Sequence, residues 1–311
     1  MKRTMILLGL ALLSLLGVLG FRAYREGQFS ADYSPPGQLL AIPGGVVHAL
    51  VRAGPGRAIV FVHGNPGLAL DFTPVMSRLP ADLSLVAFDR PGYGWSERPK
   101  TKMTPLEQAE YLRGALAGLN VSKPVLVGFS FGGPVVLAWA KAHPEEVSAL
   151  VLLGAVTDPQ TPHAMGGAQA MLAKPLLGAL MARVVAPFVA PSAVERGYLD
   201  AFFPVAVDPA FIERGKLHFA RPVTLVSAAH DWESLNHDLA QLETGCRAVN
   251  VPLEAVYANQ DRVVGISHGQ FVEEAVRDAH VVYLEQAGHQ LMSTHTDAVV
   301  QAVARALDRS K

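Results

Sequence analysis

The sequence predicts an α/β fold, a mostly parallel sheet covered by helices on both faces, with a helical cap insertion and an N-terminal hydrophobic anchor helix. Three observations predict it. Short runs rich in Val and Leu alternate with helix-length segments between about residues 46 and 154. The alternation stops there, and strand signals resume only near residue 253. Residues 4–21 form an uncharged, strongly apolar run between basic flanks. Strands alternating with helices of this length imply parallel strands buried on both faces.

In chain order, the apolar run comes first. Lys2 and Arg3 precede it, and Arg22 and Arg25 close it. An apolar helix of roughly 17–20 residues just spans a hydrocarbon core of about 30 Å. The run is long for the apolar region of a cleaved signal peptide, and its best cleavage site, Val18-Leu19-Gly20, is poor. Residues 1–27 are therefore read as an uncleaved membrane anchor, with export after cleavage as the alternative and a buried core helix as the third reading. The slight excess of positive charge before the run places the rest of the chain on the non-cytoplasmic side. A polar, proline-bearing stretch through Pro35-Pro36-Gly37 suits a tether.

Beyond it, residues 46–51, 58–62, 83–88, 124–128 and 149–153 read as strands, and 71–79, 105–119 and 131–142 as the helices between them. Helical stretches such as 168–189 and 209–219 follow with no convincing strand. Strands at 253–257 and 281–284 and a helix near 297–307 complete the chain. The resulting organisation is a core at 36–154 and 247–311 interrupted by a cap at 155–246.

Composition narrows the function classes. With 26 basic and 27 acidic residues the chain has a formal charge of −1, so it lacks the basic excess expected of a nucleic-acid binder. The single Cys246 excludes an intrachain disulfide and a multi-cysteine zinc site. No H-E-x-x-H, Cys/His cluster or P-loop stands out, and Gly92 and Gly94 do not begin a dinucleotide fingerprint. No metal or cofactor is expected.

Gly128-Phe129-Ser130-Phe131-Gly132-Gly133 is the strongest local signal. It follows a strand run and opens a helix, the setting in which a sharp turn exposes a serine Oγ. Taken alone, the same residues would make a glycine-rich helix start with a capping serine. Serine needs an adjacent base that is itself oriented by an acid. His289, in Gly288-His289-Gln290, and Asp261, in Asn259-Gln260-Asp261, each lie just past a strand run. The ends of parallel strands are where such a sheet places its site. Asp158 is the fallback acid, although Pro159 after it suits a simple turn. In His63-Gly64-Asn65-Pro66-Gly67, the Asn65 backbone N–H is the candidate oxyanion donor beside that of Phe131, because Pro66 has none.

Together with Phe88-Asp89-Arg90-Pro91-Gly92-Tyr93-Gly94-Trp95-Ser96, these segments resemble the cap-bearing members of the α/β-hydrolase family. The resemblance covers about residues 36–311 apart from the insertion. It implies Ser130 as nucleophile, His289 as base, Asp261 as its partner, Asn65 and Phe131 as backbone oxyanion donors, and structural roles for Asp89 and Arg90. Relatives that open epoxides or remove halides carry an aspartate at the elbow, where this chain has Ser130. The leading expectation is a serine carboxylesterase acting on a small-to-medium lipophilic ester, with no cofactor and with the membrane met through the N-terminal segment. A proline-type aminopeptidase, a carbon–carbon bond hydrolase and a cofactor-free haloperoxidase share the constellation, and a non-catalytic hydrolase-like binding protein is the reading from another class. The mostly apolar stretch 171–189 is expected to turn an inner face toward a pocket over Ser130.

Overall fold

The computed structural model describes residues 5, 9, 14, 16–18, 20, 33–119 and 121–310. Of the hydrophobic segment at 1–27, all but seven residues thus lie outside the described residues. Among those described, no single helix is long and apolar enough to cross a membrane.

Eight strands form one sheet: β1 (Gln38–Ile42), β2 (Gly45–Arg52), β3 (Ala58–Val62), β4 (Ser84–Phe88), β5 (Val125–Phe129), β6 (Ala149–Leu153), β7 (Leu253–Ala258) and β8 (Ala279–Leu284). Their order is β1-β2-β4-β3-β5-β6-β7-β8. Pairing is antiparallel from β1 to β2 and from β2 to β4, and parallel from β4 to β8. Strand β3 is followed in sequence by β4 on one side and is flanked by β5 on the other. The chain therefore reverses direction across the sheet between β3 and β5, and a crevice opens at their carboxyl ends.

The helices are α1 (Thr73–Met76), α2 (Pro105–Leu116), α3 (Gly132–Ala142), α4 (Gly167–Leu172), α5 (Leu177–Val184), α6 (Ala186–Phe202), α7 (Pro209–Phe219), α8 (Pro222–His237), α9 (Leu239–Arg247), α10 (Ser267–Ala275), α11 (Leu291–Thr294) and α12 (Thr296–Arg309). Local chemistry sets several starts. Thr104 accepts from the Glu107 N–H at 3.2 Å while Glu107 accepts from the Thr104 N–H at 3.0 Å, with Pro105 at the first helical position. At α7 a simpler cap serves, Asp208 Oδ1 accepting from the Ala210 N–H at 2.9 Å.

Each central strand supplies both faces of the core. Val60 and Val62 pack with residues of α2, α3 and α10, whereas Ile59 and Phe61 pack with residues of α1 and α12. Strands buried on both faces read as continuous apolar runs, which is why they stand out in the sequence. Helices α4–α9 all fall between β6 and β7 and make up the insertion.

Two expectations need correction. The helix expected over 71–79 is a 3-10 turn, Ala69–Phe72, leading into the short α1. The stretch 168–189 is three helices, broken as its prolines imply at Leu176 (φ 59°) beside Pro175 and at Val185 just before Pro187. Several of its large side chains face outward, with Leu176 89% exposed and Phe188 77% exposed, while Leu172, Met181 and Val184 are half-buried. Small residues take the packed face instead, with Ala173, Ala182, Ala186 and Ala190 buried, since a short side chain lets helices approach closely.

Candidate active site

The turn after β5 holds Ser130 at φ 52°, a left-handed conformation that a side-chain-bearing residue enters at a cost. Its surroundings over-determine it. The Ser130 N–H donates to Leu153 O at 2.9 Å, and its carbonyl accepts from Gly133 N at 3.0 Å and Val156 N at 3.2 Å. Glycine is required where the turn meets β3: a Cβ on Gly132 would lie 2.1 Å from Val62 O.

Beyond β7 and β8, Asp261 and His289 come together, with His289 Nδ1 2.7 Å from Asp261 Oδ2. The other carboxylate oxygen of Asp261 accepts from the N–H groups of Val263 (2.7 Å) and Val264 (2.8 Å), which fixes its orientation. The His289 ring packs on Phe129, the residue before Ser130, at 4.7 Å between centroids. Among the described residues no hydrogen bond joins Ser130 Oγ to that ring. Such bonds are often long until a substrate carbonyl fixes the hydroxyl rotor. Asp158 does not reach His289. Its Oδ1 accepts from Gln160 N at 2.9 Å, and its N–H donates to His268 Nδ1 at 2.8 Å, so it shapes a turn.

The loop after β3 lies against the serine: a Cβ on Gly64 would sit 2.8 Å from Ser130 Cβ. The Gly64 carbonyl accepts from Arg90 Nη2 at 2.8 Å and from His63 Nδ1 at 2.8 Å. His63 Nε2 accepts from the Arg90 N–H at 2.8 Å, so Nδ1 carries the ring proton. Burial and the Arg90 charge hold His63 down to about 3, and the ring stays neutral as a loop support. In a trans peptide the carbonyl and the following N–H point in opposite directions. Clamping Gly64 C=O therefore aims Asn65 N–H away from Arg90, and neither that N–H nor that of Phe131 has an acceptor among the described residues. A serine with an acid-oriented imidazole and two backbone donors on one crevice is an arrangement for acyl transfer.

A family model described as alpha/beta hydrolase fold matches residues 57–194. The chain has the α/β-hydrolase fold. The sequence is similar to the 2-hydroxy-6-oxo-2,4-heptadienoate hydrolase of Pseudomonas putida, 36% identical over 121 residues, which cover 38% of this chain and 44% of that protein. It is also similar to a 2-hydroxymuconate semialdehyde hydrolase of Pseudomonas putida, 28% identical over 70% of this chain and 75% of that one. The first of these matches thus spans less than half of its relative. The esterase of Exiguobacterium antarcticum superimposes with a TM-score of 0.72 over 88% of this chain and 99% of that one. At 20% identity this is a likeness of fold alone.

Within this α/β-hydrolase fold, Asp89 and Arg90 hold the loops behind the elbow. Asp89 accepts from Ala69 N at 2.7 Å and Trp95 N at 3.1 Å and pairs with His48 at 2.7 Å. Burial pushes the Asp89 carboxyl up, but the bond and charge of His48 outweigh it and hold it below the usual range. Arg90 is fully buried and pairs with Asp231 of α8 at 2.7 Å. Sequence reasoning missed Asp231, and Trp232 beside it, which meets Phe131 edge-on at 5.2 Å. A buried acid in an otherwise mixed helical stretch gives no local signal when its partner lies 141 residues earlier.

The lone Cys246 is buried, and burial pushes its thiol up to about 12, which makes it unreactive at neutral pH. Among the described residues, only His143, Glu145 and Glu146 bring three metal-type ligand atoms within 4.8 Å of one another. They lie past the end of α3 remote from Ser130, and His143 Nε2 is bonded to Glu110 at 2.5 Å.

Proposed function

We propose that this hydrolase is a serine carboxylesterase that works through an acyl-enzyme on Ser130. The supporting observation is the serine on its left-handed turn beside an imidazole locked to Asp261 at 2.7 Å. His289 Nε2 takes the Ser130 proton as Oγ bonds to the ester carbon, and the carbonyl oxygen becomes an oxyanion facing the N–H groups of Asn65 and Phe131. Asp261 keeps the proton of the neutral imidazole on Nδ1 and stabilises the imidazolium that forms. Collapse returns the proton from His289 to the departing alcohol, leaving the acyl group on Ser130. Water then attacks by the same route and releases the acid. The rings of Phe129, Phe131 and Trp232 around this centre favour an uncharged, lipophilic substrate.

A second reading comes from the relatives. A 2-hydroxy-6-oxo-2,4-heptadienoate carries no ester or amide, so a hydrolase of it must break a carbon–carbon bond. One experiment separates the two. Rapid mixing with p-nitrophenyl acetate should release about one equivalent of nitrophenol per enzyme in a burst and add an acetyl mass to the peptide containing Ser130. Turnover should rise from two- to eight-carbon acyl chains and be absent on prolyl amides. A fall along that series would remove the lipophilic preference, and turnover of the dienoate with no burst would install the second reading.

We also propose that residues 4–21 anchor the protein, supported by their uncharged length between basic flanks. Membranes washed at alkaline pH should retain the full-length chain. A soluble protein beginning near Phe21 would reject the anchor.

A further inference from the structure

Helix α8 touches every part of the candidate oxyanion hole. Asn65 Nδ2 donates to Ala228 O at 3.0 Å. Arg90 Nη1 donates to Asp231 Oδ2 at 2.7 Å while its Nη2 reaches Gly64 O and its Nε reaches His63 O at 3.0 Å. The Trp232 edge meets the Phe131 ring at an interplanar angle of 89°, and the Arg90 guanidinium lies 4.6 Å from the same ring. Positions 228, 231 and 232 follow an i, i+3, i+4 spacing and so share one face of the helix. That face belongs to the cap, whereas the groups it holds belong to the core.

We infer that Asp231 is a positioning residue of the oxyanion hole, acting from the cap through Arg90 on the Gly64–Asn65 peptide. This inference rests on the serine-hydrolase reading above. The fork of Arg90 is what transmits it: one arm is held by Asp231, the other holds Gly64 C=O, and the planar peptide turns that constraint into the direction of the Asn65 N–H. Tyr93 OH (2.8 Å), Arg98 Nη2 (2.8 Å) and Gln108 Nε2 (3.0 Å) also donate to the Asp231 carboxylate, leaving it little freedom to move. Burial alone would raise Asp231, but the Arg98 and Arg90 charges dominate and keep it ionised. Seating of the cap and assembly of the oxyanion hole are then one event.

Lys102 provides the control. It ties the core to α8 through Glu233 at 2.8 Å, a pair that involves neither the Asp231 carboxylate nor the 63–67 loop. In the full chain, Asp231→Asn should lower kcat for p-nitrophenyl acetate at least tenfold with KM within twofold, a partial loss of an oxyanion donor whose full removal costs about 10²–10³. Binding of phenylboronic acid, which forms a tetrahedral adduct on the serine, should weaken in parallel. Lys102→Gln should keep kcat within twofold, because it loosens the contact of α8 with the core without touching Asp231. Should Asp231→Asn not fold, Arg90→Lys carries the test, because one ammonium cannot bridge Asp231 and Gly64 together. A folded Asp231→Asn or Arg90→Lys enzyme with unchanged kcat overturns the inference. So does a fall in kcat that Lys102→Gln reproduces. A wild-type chain that neither hydrolyses the ester nor binds the boronate overturns the serine-hydrolase reading itself, and it is recognised before any substitution is made.

Discussion

Ser130→Ala is expected to lower kcat on short p-nitrophenyl esters by about a millionfold while leaving the fold intact. The size follows from the role, since a triad serine is the atom that bonds to substrate, and its loss in a serine protease costs about 10⁶ in kcat. The fold should survive because alanine meets the same left-handed backbone at φ 52° with the same Cβ as serine. The turn's bonds to Leu153 O, Gly133 N and Val156 N use main-chain atoms only. A residual rate of about 10³–10⁴ over water is expected from the backbone donors and binding. Circular dichroism would establish the fold and steady-state kinetics the rate. An alanine enzyme retaining a tenth of wild-type turnover would place the nucleophile elsewhere.

Asp261→Asn is the second large effect, about 10⁴ in kcat by analogy with serine proteases. The carboxylate oxygen that accepts from Val263 and Val264 N–H has to remain an acceptor, so the asparagine carbonyl takes that place. Its amide NH₂ then faces His289 Nδ1 and forces that nitrogen to accept. The imidazole proton moves to Nε2, which can no longer take the proton of Ser130. KM and melting temperature should change little. Asp158→Asn should be nearly silent by the same assay, because its carboxylate bonds within its own turn. If Asp158→Asn abolished turnover while Asp261→Asn kept it, the acid would have to be reassigned.

Most of the sheet and the candidate site were legible for a shared reason. Strands β3 to β7 are fully or almost fully buried, so Val- and Leu-rich runs mark them, and the glycines around Ser130 mark the turn that follows β5. Strand β1 was invisible because it is an edge strand with a half-exposed pattern, close to the polar tether. In the stretch 171–189, apolar mass alone does not say which side chains face inward, since Leu176 and Phe188 are exposed. The better sign was the recurrence of Ala182, Ala186 and Ala190 every four residues. Asp231 could not be read at all, since its meaning lies in a partner brought near only by the completed fold.

That separation has a consequence for how the molecule is made. Arg90 emerges from the ribosome 141 residues ahead of Asp231. Until α8 follows, the first six strands hold a cation whose burial lacks its anion, and stranding one member of such a pair typically costs about 3–5 kcal/mol. With six of the eight strands made, the nascent sheet cannot bury Arg90 without that cost, and the cap is no detachable accessory: its arrival completes the core beneath it.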